Sequence, residues 1–423
     1  MGNPTDKSIR IQLIFGSVLL MLVALFTSRM LLTIGMGAFM VFTTVHQNFL
    51  QQVRNFFSSP LLVGMTLLFF IPLLSGFWSN DEAQWVRSVR IKLPMLLLPF
   101  AFAGNWQLSR KQWRQIAFVF IILIAAGCTW SMYQYLDNMQ QINKSYLSAK
   151  AIPTPLENDH IRFSLLVTVA IMASVLLFMK ERSGAIKFLL AAAILFFIIY
   201  LHVLSVRTGL AGLYIFLIIG LTALLARTKK KKIIIGLSVV LIVTPLAAWL
   251  LLPTFQNRIR YMIYDLQHIR AQTYLPGSND GSRLMSIKAG WNLLKDNPLG
   301  VGSGDVVNET LNWYEKHVPA MVDTGLYPSS EWLMYGGTAG WPGIVLFTMI
   351  MLLPFLEKTS ERIFWISLNI IIAFSLLFDI GLEVQFGVFI YAFVVLWWWK
   401  WLKKEYKEIA TANTLQNQHS IVS

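Results

Sequence analysis

Long apolar runs alternate with short polar segments along almost the whole chain. Most runs are about 17 to 20 residues long, the length that an α-helix needs to cross the apolar core of a bilayer. We therefore predict an all-α, polytopic transmembrane protein with about twelve spans. The predicted spans cover residues 11–27, 30–46, 61–77, 93–104, 116–135, 161–179, 188–204, 208–226, 233–252, 338–356, 364–380 and 385–401.

One long polar segment, residues 253–335, interrupts this pattern between the ninth and tenth predicted spans. A loop of that length in a compact membrane protein usually carries function. The chain is thus divided into transmembrane helices over 1–252, a large loop over 253–335, transmembrane helices over 336–402 and a polar tail over 403–423.

The distribution of charged residues predicts how the chain is oriented in the membrane. Hydrophobic residues make up 56 % of the 423 and charged residues 13 %, and Lys plus Arg outnumber Asp plus Glu by 35 to 21. Short cytoplasmic loops collect Lys and Arg, so a basic excess here indicates topology and not a nucleic-acid partner. Both termini are predicted to be cytoplasmic and the large loop to face outward. The basic inside positions are Arg54, Arg110, Lys111, Arg114, Lys180, Arg182, Lys187, the run 227–232, Lys358, Arg362, Lys403, Lys404 and Lys407.

The informative cations are those that break this rule on the outer side: Arg87, Arg90 and Lys92 before the fourth span, Arg207 where the seventh span meets the eighth, and Arg283 in the large loop. A cation at membrane depth costs a few kcal/mol at least, so it persists where it has an anionic partner or a function. Arginine offers a planar fork for phosphate oxygens and stays protonated, so such a cluster suits a phosphate or pyrophosphate head group. Apolar runs lie close on both sides of Arg207, which favours a functional role there.

For Arg87, Arg90 and Lys92 a second explanation stays open with equal weight. Their long side chains could extend to the lipid surface, or they could pair with Asp81 and Glu82, which precede them.

The large loop contains a predicted helix over 282–297, SRLMSIKAGWNLLKDN, which Ser282 or Asp280 would cap and Pro298 would follow. A tight, glycine-dense turn, GVGSGD, comes next at 300–305. By itself this turn is weak support for phosphate binding, because it follows a helix, whereas a phosphate loop precedes one.

Several motifs in fixed order resemble one family. They are SVRTGL (205–210), the loop arginine Arg283, DNPLGVGSGD (296–305), PSSEWLMYGGTAGWPG (328–343) and LEVQFGVFIYA (382–392). Together they resemble the superfamily of O-antigen ligases and Wzy-type O-antigen polymerases, polytopic envelope glycosyltransferases of the GT-C class. The resemblance covers the second half of the chain by motif and the whole chain by layout.

The resemblance implies an inverting transfer without metal or other cofactor. A glycan on undecaprenyl pyrophosphate would be presented at the periplasmic face of the bacterial inner membrane, and an acceptor hydroxyl would displace the lipid pyrophosphate. Arg207 and Arg283 match the family's arginines and would bind the pyrophosphate. Arg87, Arg90 and Lys92 are added from the charge count as further substrate-binding residues.

One departure from the family concerns the general base. The ligases carry a His-Asn pair at the positions that Ser329 and Ser330 occupy here. Serine is a poor base at neutral pH, so that role does not transfer, and both serines are kept as substrate-binding candidates. Three residues could replace the histidine: Glu331, our first choice, then His160, and His317, which is otherwise an ordinary surface residue that could contact substrate.

The sequence leaves the acceptor open. An O-antigen ligase acting on lipid A core is the leading hypothesis, and a repeat-unit polymerase or an O-linked protein glycosyltransferase would use the same donor. A transporter or flippase for lipid-linked sugars is the rival from another class. It would predict paired Gly- or Pro-broken spans and charges deep in mid-span, whereas the charges here collect at one face.

Overall fold

The computed structural model describes residues 4–46, 48–227, 231–271, 273, 278, 280–324 and 327–422. These residues form an all-α structure, and no β-strand occurs among them. The helices are α1 (Pro4–Thr27), α2 (Arg29–Thr44), α3 (Phe49–Phe57), α4 (Pro60–Leu74), α5 (Glu82–Ala103), α6 (Arg110–Asp137), α7 (Met139–Ser145), α8 (His160–Lys180), α9 (Gly184–Leu204), α10 (Arg207–Arg227), α11 (Lys231–Leu251), α12 (Pro253–Arg270), α13 (Asp280–Asp296), α14 (Val306–His317), α15 (Glu331–Leu352), α16 (Arg362–Leu377) and α17 (Gln385–Val422).

Within the described ranges, nine helices are long and apolar enough to cross a membrane, or up to ten if the bent pair α2 and α3 is one span. The prediction of an all-α, polytopic membrane protein is confirmed, whereas the number of twelve spans is not. Each predicted span is helical, but α16 is short, and charged residues crowd the first half of α5. Length and hydropathy alone therefore do not assign these segments as spans.

The large loop consists of α12, α13 and α14, and it lies at one end of the bundle, here called the loop end. The predicted helix 282–297 corresponds to α13, but its start is held differently from the prediction. Ser278 Oγ accepts a hydrogen bond from Ser282 N at 3.3 Å, and the Asp265 carboxylate accepts one from Asp280 N at 2.6 Å. The first-turn amides thus bind acceptors outside the helix, and neither predicted capping residue provides the cap.

The glycine-dense turn docks onto a break in α15. The backbone amide of Val301 donates to Gly337 O at 2.7 Å, and that of Trp341 donates to Pro298 O at 3.0 Å. The α15 backbone leaves helical geometry at Gly340, where φ is +68° and ψ is −153°. Only glycine adopts this conformation readily, and it lets two backbones meet without side chains between them. The turn therefore joins the loop to the bundle and is not a phosphate loop.

The same turn is also hydrogen-bonded to the connection between α4 and α5. The Asp305 carboxylate accepts hydrogen bonds from Asn80 N at 2.7 Å and from Asp81 N at 3.0 Å. Ser303 N donates to Ser75 Oγ at 2.9 Å. Charge-assisted hydrogen bonds of this kind are stronger than neutral ones, so the loop is held on two sides.

Ion pairs gather at the opposite end of the bundle, which carries most of the predicted cytoplasmic cations. They link α6, α8 and the segment before α16 to the last helix, α17. The pairs are Arg110–Glu408 (2.5 Å), Lys180–Glu405 (2.5 Å) and Lys403–Glu357 (3.0 Å). These predicted cytoplasmic cations thus lie at the end of the bundle away from the large loop. Residues 228–230 of the predicted basic anchor lie outside the described ranges.

Candidate functional site

One cavity at the loop end, here called the Arg283 cavity, has a volume of about 310 Å³. It lies where α10 and α13 begin and α16 ends, so segments far apart in sequence surround it. Its lining residues are Arg207, Thr208, Ala211, Asp280, Arg283, Leu284, Ile287, Phe374, Ser375 and Phe378. Arg207 and Arg283, which the sequence singles out independently, therefore line one cavity.

Arg207 is the first residue of α10, and its guanidinium is ion-paired with the Asp280 carboxylate at the start of α13. About half of the Arg207 side chain is exposed. Asp280 uses one carboxylate oxygen for this pair, while its other oxygen is buried without a hydrogen-bond partner. The cavity therefore holds a cation that is accessible and a carboxylate that is only partly satisfied.

Arg283 donates from Nη1 to the Phe378 carbonyl oxygen at 3.1 Å. Burial lowers the pKa of its guanidinium, the Asp379 carboxylate opposes that change, and the neighbouring Arg207 lowers the pKa further. An arginine tolerates such a shift and remains charged at neutral pH. Arg283 and Arg207 are thus close enough to repel each other, and an anion between them would relieve that repulsion.

Two further arginines lie near this cavity, and the sequence does not single them out. Arg162 pairs with Asp379, with 2.7 Å between Nη2 and Oδ2, and burial raises the pKa of the Asp379 carboxyl. Arg258 is buried, donates to the Lys150 carbonyl at 2.9 Å and interacts electrostatically with Arg207. A search for all outer cations, rather than for span ends alone, would have found both.

Another cavity at the loop end, here called the Arg90 cavity, has a volume of about 590 Å³. Arg87 and Arg90 line it, but they do not line the Arg283 cavity with Arg207 and Arg283. The outer cations therefore form two groups. The lining residues are Arg29, Ala83, Val86, Arg87, Arg90, Ile91, Leu156, Glu157, Asn158, Asp159, Glu383, Val384, Gln385 and Phe386.

Lys92 differs from the two arginines that precede it. It is 2 % exposed, and its Nζ lies 2.5 Å from Glu383 Oε1 and 3.3 Å from Ser88 Oγ. A buried ion pair of this kind loses much if one partner is removed. Lys92 is thus engaged by the fold and lines neither cavity, and its substrate-binding role stays a prediction.

Glu331, the first-choice base, is fully buried at the start of α15 and lines neither cavity. One carboxylate oxygen accepts a hydrogen bond from the Leu382 amide, and the other is buried without a partner. A general base must come within hydrogen-bond reach of the proton that it accepts. The geometry therefore favours a positioning role, in which Glu331 holds the segment that carries Asp379 and Glu383.

Glu331→Gln tests this assignment. Glutamine retains an oxygen that accepts from the Leu382 amide and removes like-charge repulsion with Glu383, so we expect turnover within about twofold of wild type. Glu331→Ala leaves that amide unpaired and is expected to destabilise the fold by about 1–3 kcal/mol. Turnover of each variant is measured beside its thermal unfolding. A hundredfold loss in folded Glu331→Gln would restore the predicted base.

The two serines that replace the family's His-Asn pair are also buried. Ser329 Oγ lies 2.7 Å from Ser286 Oγ on α13, and Ser330 precedes the first residue of α15. Their hydroxyls line neither cavity. Ser329 thus connects the loop helix to the membrane helix, and substrate contact by either serine stays a prediction.

The two predicted histidines lie in different surroundings. His160 is partly buried at the start of α8 and interacts electrostatically with Arg258 and Arg283. His317 is exposed at the end of α14, where its ring stacks on Trp313 at 4.7 Å. His160 is therefore near the Arg283 cavity, whereas His317 lines neither cavity and resembles a surface residue.

Across the described part of the chain, no group of three or more His, Cys, Asp or Glu side chains is spaced to hold a metal ion. Comparison with known proteins adds no assignment: no protein-family model matches the sequence, and no curated protein matches it significantly.

Proposed function

We propose that this protein is a bacterial inner-membrane glycosyltransferase of the O-antigen ligase type. It transfers a glycan from undecaprenyl pyrophosphate to a hydroxyl of lipid A core at the periplasmic face. The proposal rests on one observation: Arg207 and Arg283 line the same cavity at the loop end. The motifs that resemble the ligase and polymerase superfamily supply the substrate class.

The charges around the Arg283 cavity support an anionic ligand. Arg207 is half-exposed and held by a single carboxylate, Asp280, while Arg283 donates to a neutral carbonyl oxygen. A pyrophosphate carries more charge than one carboxylate and accepts bidentate hydrogen bonds from guanidinium groups. It would therefore displace Asp280 from Arg207 and bridge the two arginines.

The chemistry needs stabilisation of the leaving group. The acceptor oxygen forms a bond to the anomeric carbon, and the bond from that carbon to the pyrophosphate oxygen breaks. The electron pair leaves with the pyrophosphate, whose developing charge Arg207 and Arg283 offset. The hydroxyl proton passes to a base on the face of the sugar opposite the pyrophosphate, and His160, which lies near this cavity, is the predicted base best placed for that role.

Reconstitution of the full-length protein in proteoliposomes tests the proposal. With a labelled glycan on undecaprenyl pyrophosphate, lipid A core and EDTA, we expect labelled glycan joined to lipid A core. Chains that lengthen on undecaprenyl pyrophosphate would instead identify a polymerase. Passage of the lipid-linked glycan across the bilayer, with no new glycosidic bond, would contradict the proposal and identify a flippase.

A further inference from the structure

The positive charges of Arg87 and Arg90 are not paired with any described residue. Both are exposed on α5, about one helical turn apart, and neither has a hydrogen bond or ion pair with any described residue. Neither Asp81 nor Glu82 forms an ion pair with them among the described residues, and Asp81 instead accepts from Gln84 N at 2.9 Å and from Asn308. Two arginines without partners in one cavity are available to a ligand.

The carboxylates in the Arg90 cavity do not neutralise these arginines, because each already has a cation. Glu157 pairs with Arg29 within the cavity. The other two carboxylates have partners from outside it, as Asp159 pairs with Arg162 and Glu383 with Lys92. Arg87 and Arg90 are therefore the cations of this cavity that no described carboxylate pairs with.

The wall of the cavity contains an unusual backbone turn. Three consecutive non-glycine residues, Leu156, Glu157 and Asn158, have φ of 63°, 57° and 67°. Left-handed backbone costs such residues roughly 1–2 kcal/mol each, and strain of this kind collects at functional sites. The backbone amide of Asn158 closes the turn by donating a hydrogen bond to Thr154 O at 3.2 Å.

A chain of charged groups connects this cavity to the Arg283 cavity. Asp159 lines the Arg90 cavity and pairs with Arg162, which pairs with Asp379. Asp379 in turn interacts electrostatically with Arg283. Asp159, Arg162 and Asp379 thus form an electrostatic link between the two cavities.

We propose that the Arg90 cavity is a second anion site, which binds an acidic group of the acceptor glycolipid while the donor pyrophosphate occupies the Arg283 cavity. This inference rests on the proposed function and adds the chemistry of the acceptor. The acidic group is a phosphate or a sugar carboxylate, since both accept the planar fork of arginine. A volume of about 590 Å³ accommodates a sugar with its acidic substituent.

The kinetic test uses the double variant Arg87→Gln/Arg90→Gln in full-length protein, with lipid A core varied at saturating donor. Loss of two charged contacts is expected to raise the acceptor KM by about ten- to a hundredfold, while kcat and the donor KM stay near wild type. Arg87→Lys/Arg90→Lys keeps the charge and is expected to recover most of the affinity. Arg260→Gln, an exposed arginine that lines neither cavity, is the matched control.

Dephosphorylated lipid A core identifies the acidic group. If phosphate is recognised, wild type loses affinity for this acceptor and the double variant does not. If a carboxylate is recognised, the double variant remains impaired with both acceptors. Either result supports the second site. An unchanged acceptor KM, or a rise in the donor KM instead, would overturn it.

Binding without turnover separates this inference from the proposed function. Full-length protein in phosphatidylcholine nanodiscs is titrated with lipid A core in the absence of donor. Weaker binding by the glutamine double variant, with the lysine variant near wild type, supports the site even if no transfer is found. Equal binding by wild type and the glutamine double variant overturns the site even if transfer occurs.

Discussion

Arg283→Ala is expected to abolish glycan transfer while the amount of protein in the membrane stays unchanged. Its guanidinium donates to one carbonyl oxygen and is not part of a buried ion pair, so the fold loses little. The leaving pyrophosphate loses a charge partner at the point where its charge develops, which typically costs two or more orders of magnitude in rate. Arg207→Ala is expected to give the same loss, measured as labelled product from proteoliposomes.

Arg260→Ala is the control for this pair, because Arg260 is an exposed arginine of the same loop that lines neither cavity. It should transfer at the wild-type rate. Arg283→Lys keeps a positive charge without the planar fork and should retain part of the activity. Near-normal transfer by either alanine variant would remove the pyrophosphate assignment.

Gly340→Ala is expected to destabilise the fold so strongly that little folded protein remains. A β-carbon at this position would overlap the Pro298 carbonyl oxygen, and φ of +68° with ψ of −153° is a conformation reserved for glycine. Overlap with backbone cannot be relieved by turning a side chain, so the break in α15 and the docked turn would separate. We expect a loss of about 3 kcal/mol or more in the free energy of unfolding.

Gly37→Ala is the matched change in a membrane helix. Gly37 lies inside α2, and a β-carbon there meets nothing within 4 Å. Alanine favours a helix over glycine by roughly 0.5–1 kcal/mol, so stability should be equal or slightly higher. Thermal unfolding of the detergent-solubilised protein measures both variants. A wild-type unfolding temperature for Gly340→Ala would contradict the role given to the break.

Hydropathy predicts the helices of this fold well, because a membrane span must be apolar over a fixed length. It predicts their number less well. The charged first half of α5 makes that helix too polar for a hydropathy criterion, and α16 is too short for a length criterion, although both are helices of the bundle. The docking of the glycine-dense turn onto α15 depends on contacts between distant segments, which a local pattern does not contain.

Arg207 could be predicted because an outer cation beside an apolar run is costly and therefore informative, whereas Arg283 is predicted from its place in the outer loop and its match to the motif of the family that the chain resembles. Arg162 and Asp379 were not assigned to the site, since their pairing joins α8 to the segment after α16. Glu331 follows two serines in a polar motif and thus resembles an exposed residue. Its burial is decided by the Leu382 segment, which packs over it in the folded chain.

The ion pair between Arg207 and Asp280 also bears on product departure. Once the sugar has moved, the spent carrier lipid keeps its diphosphate and would remain bound to two arginines. Asp280 would then compete for Arg207 from within the protein and so weaken the hold on the carrier. If the proposed function holds, an enzyme built this way would resist inhibition by its own by-product and return the carrier to the membrane for another cycle.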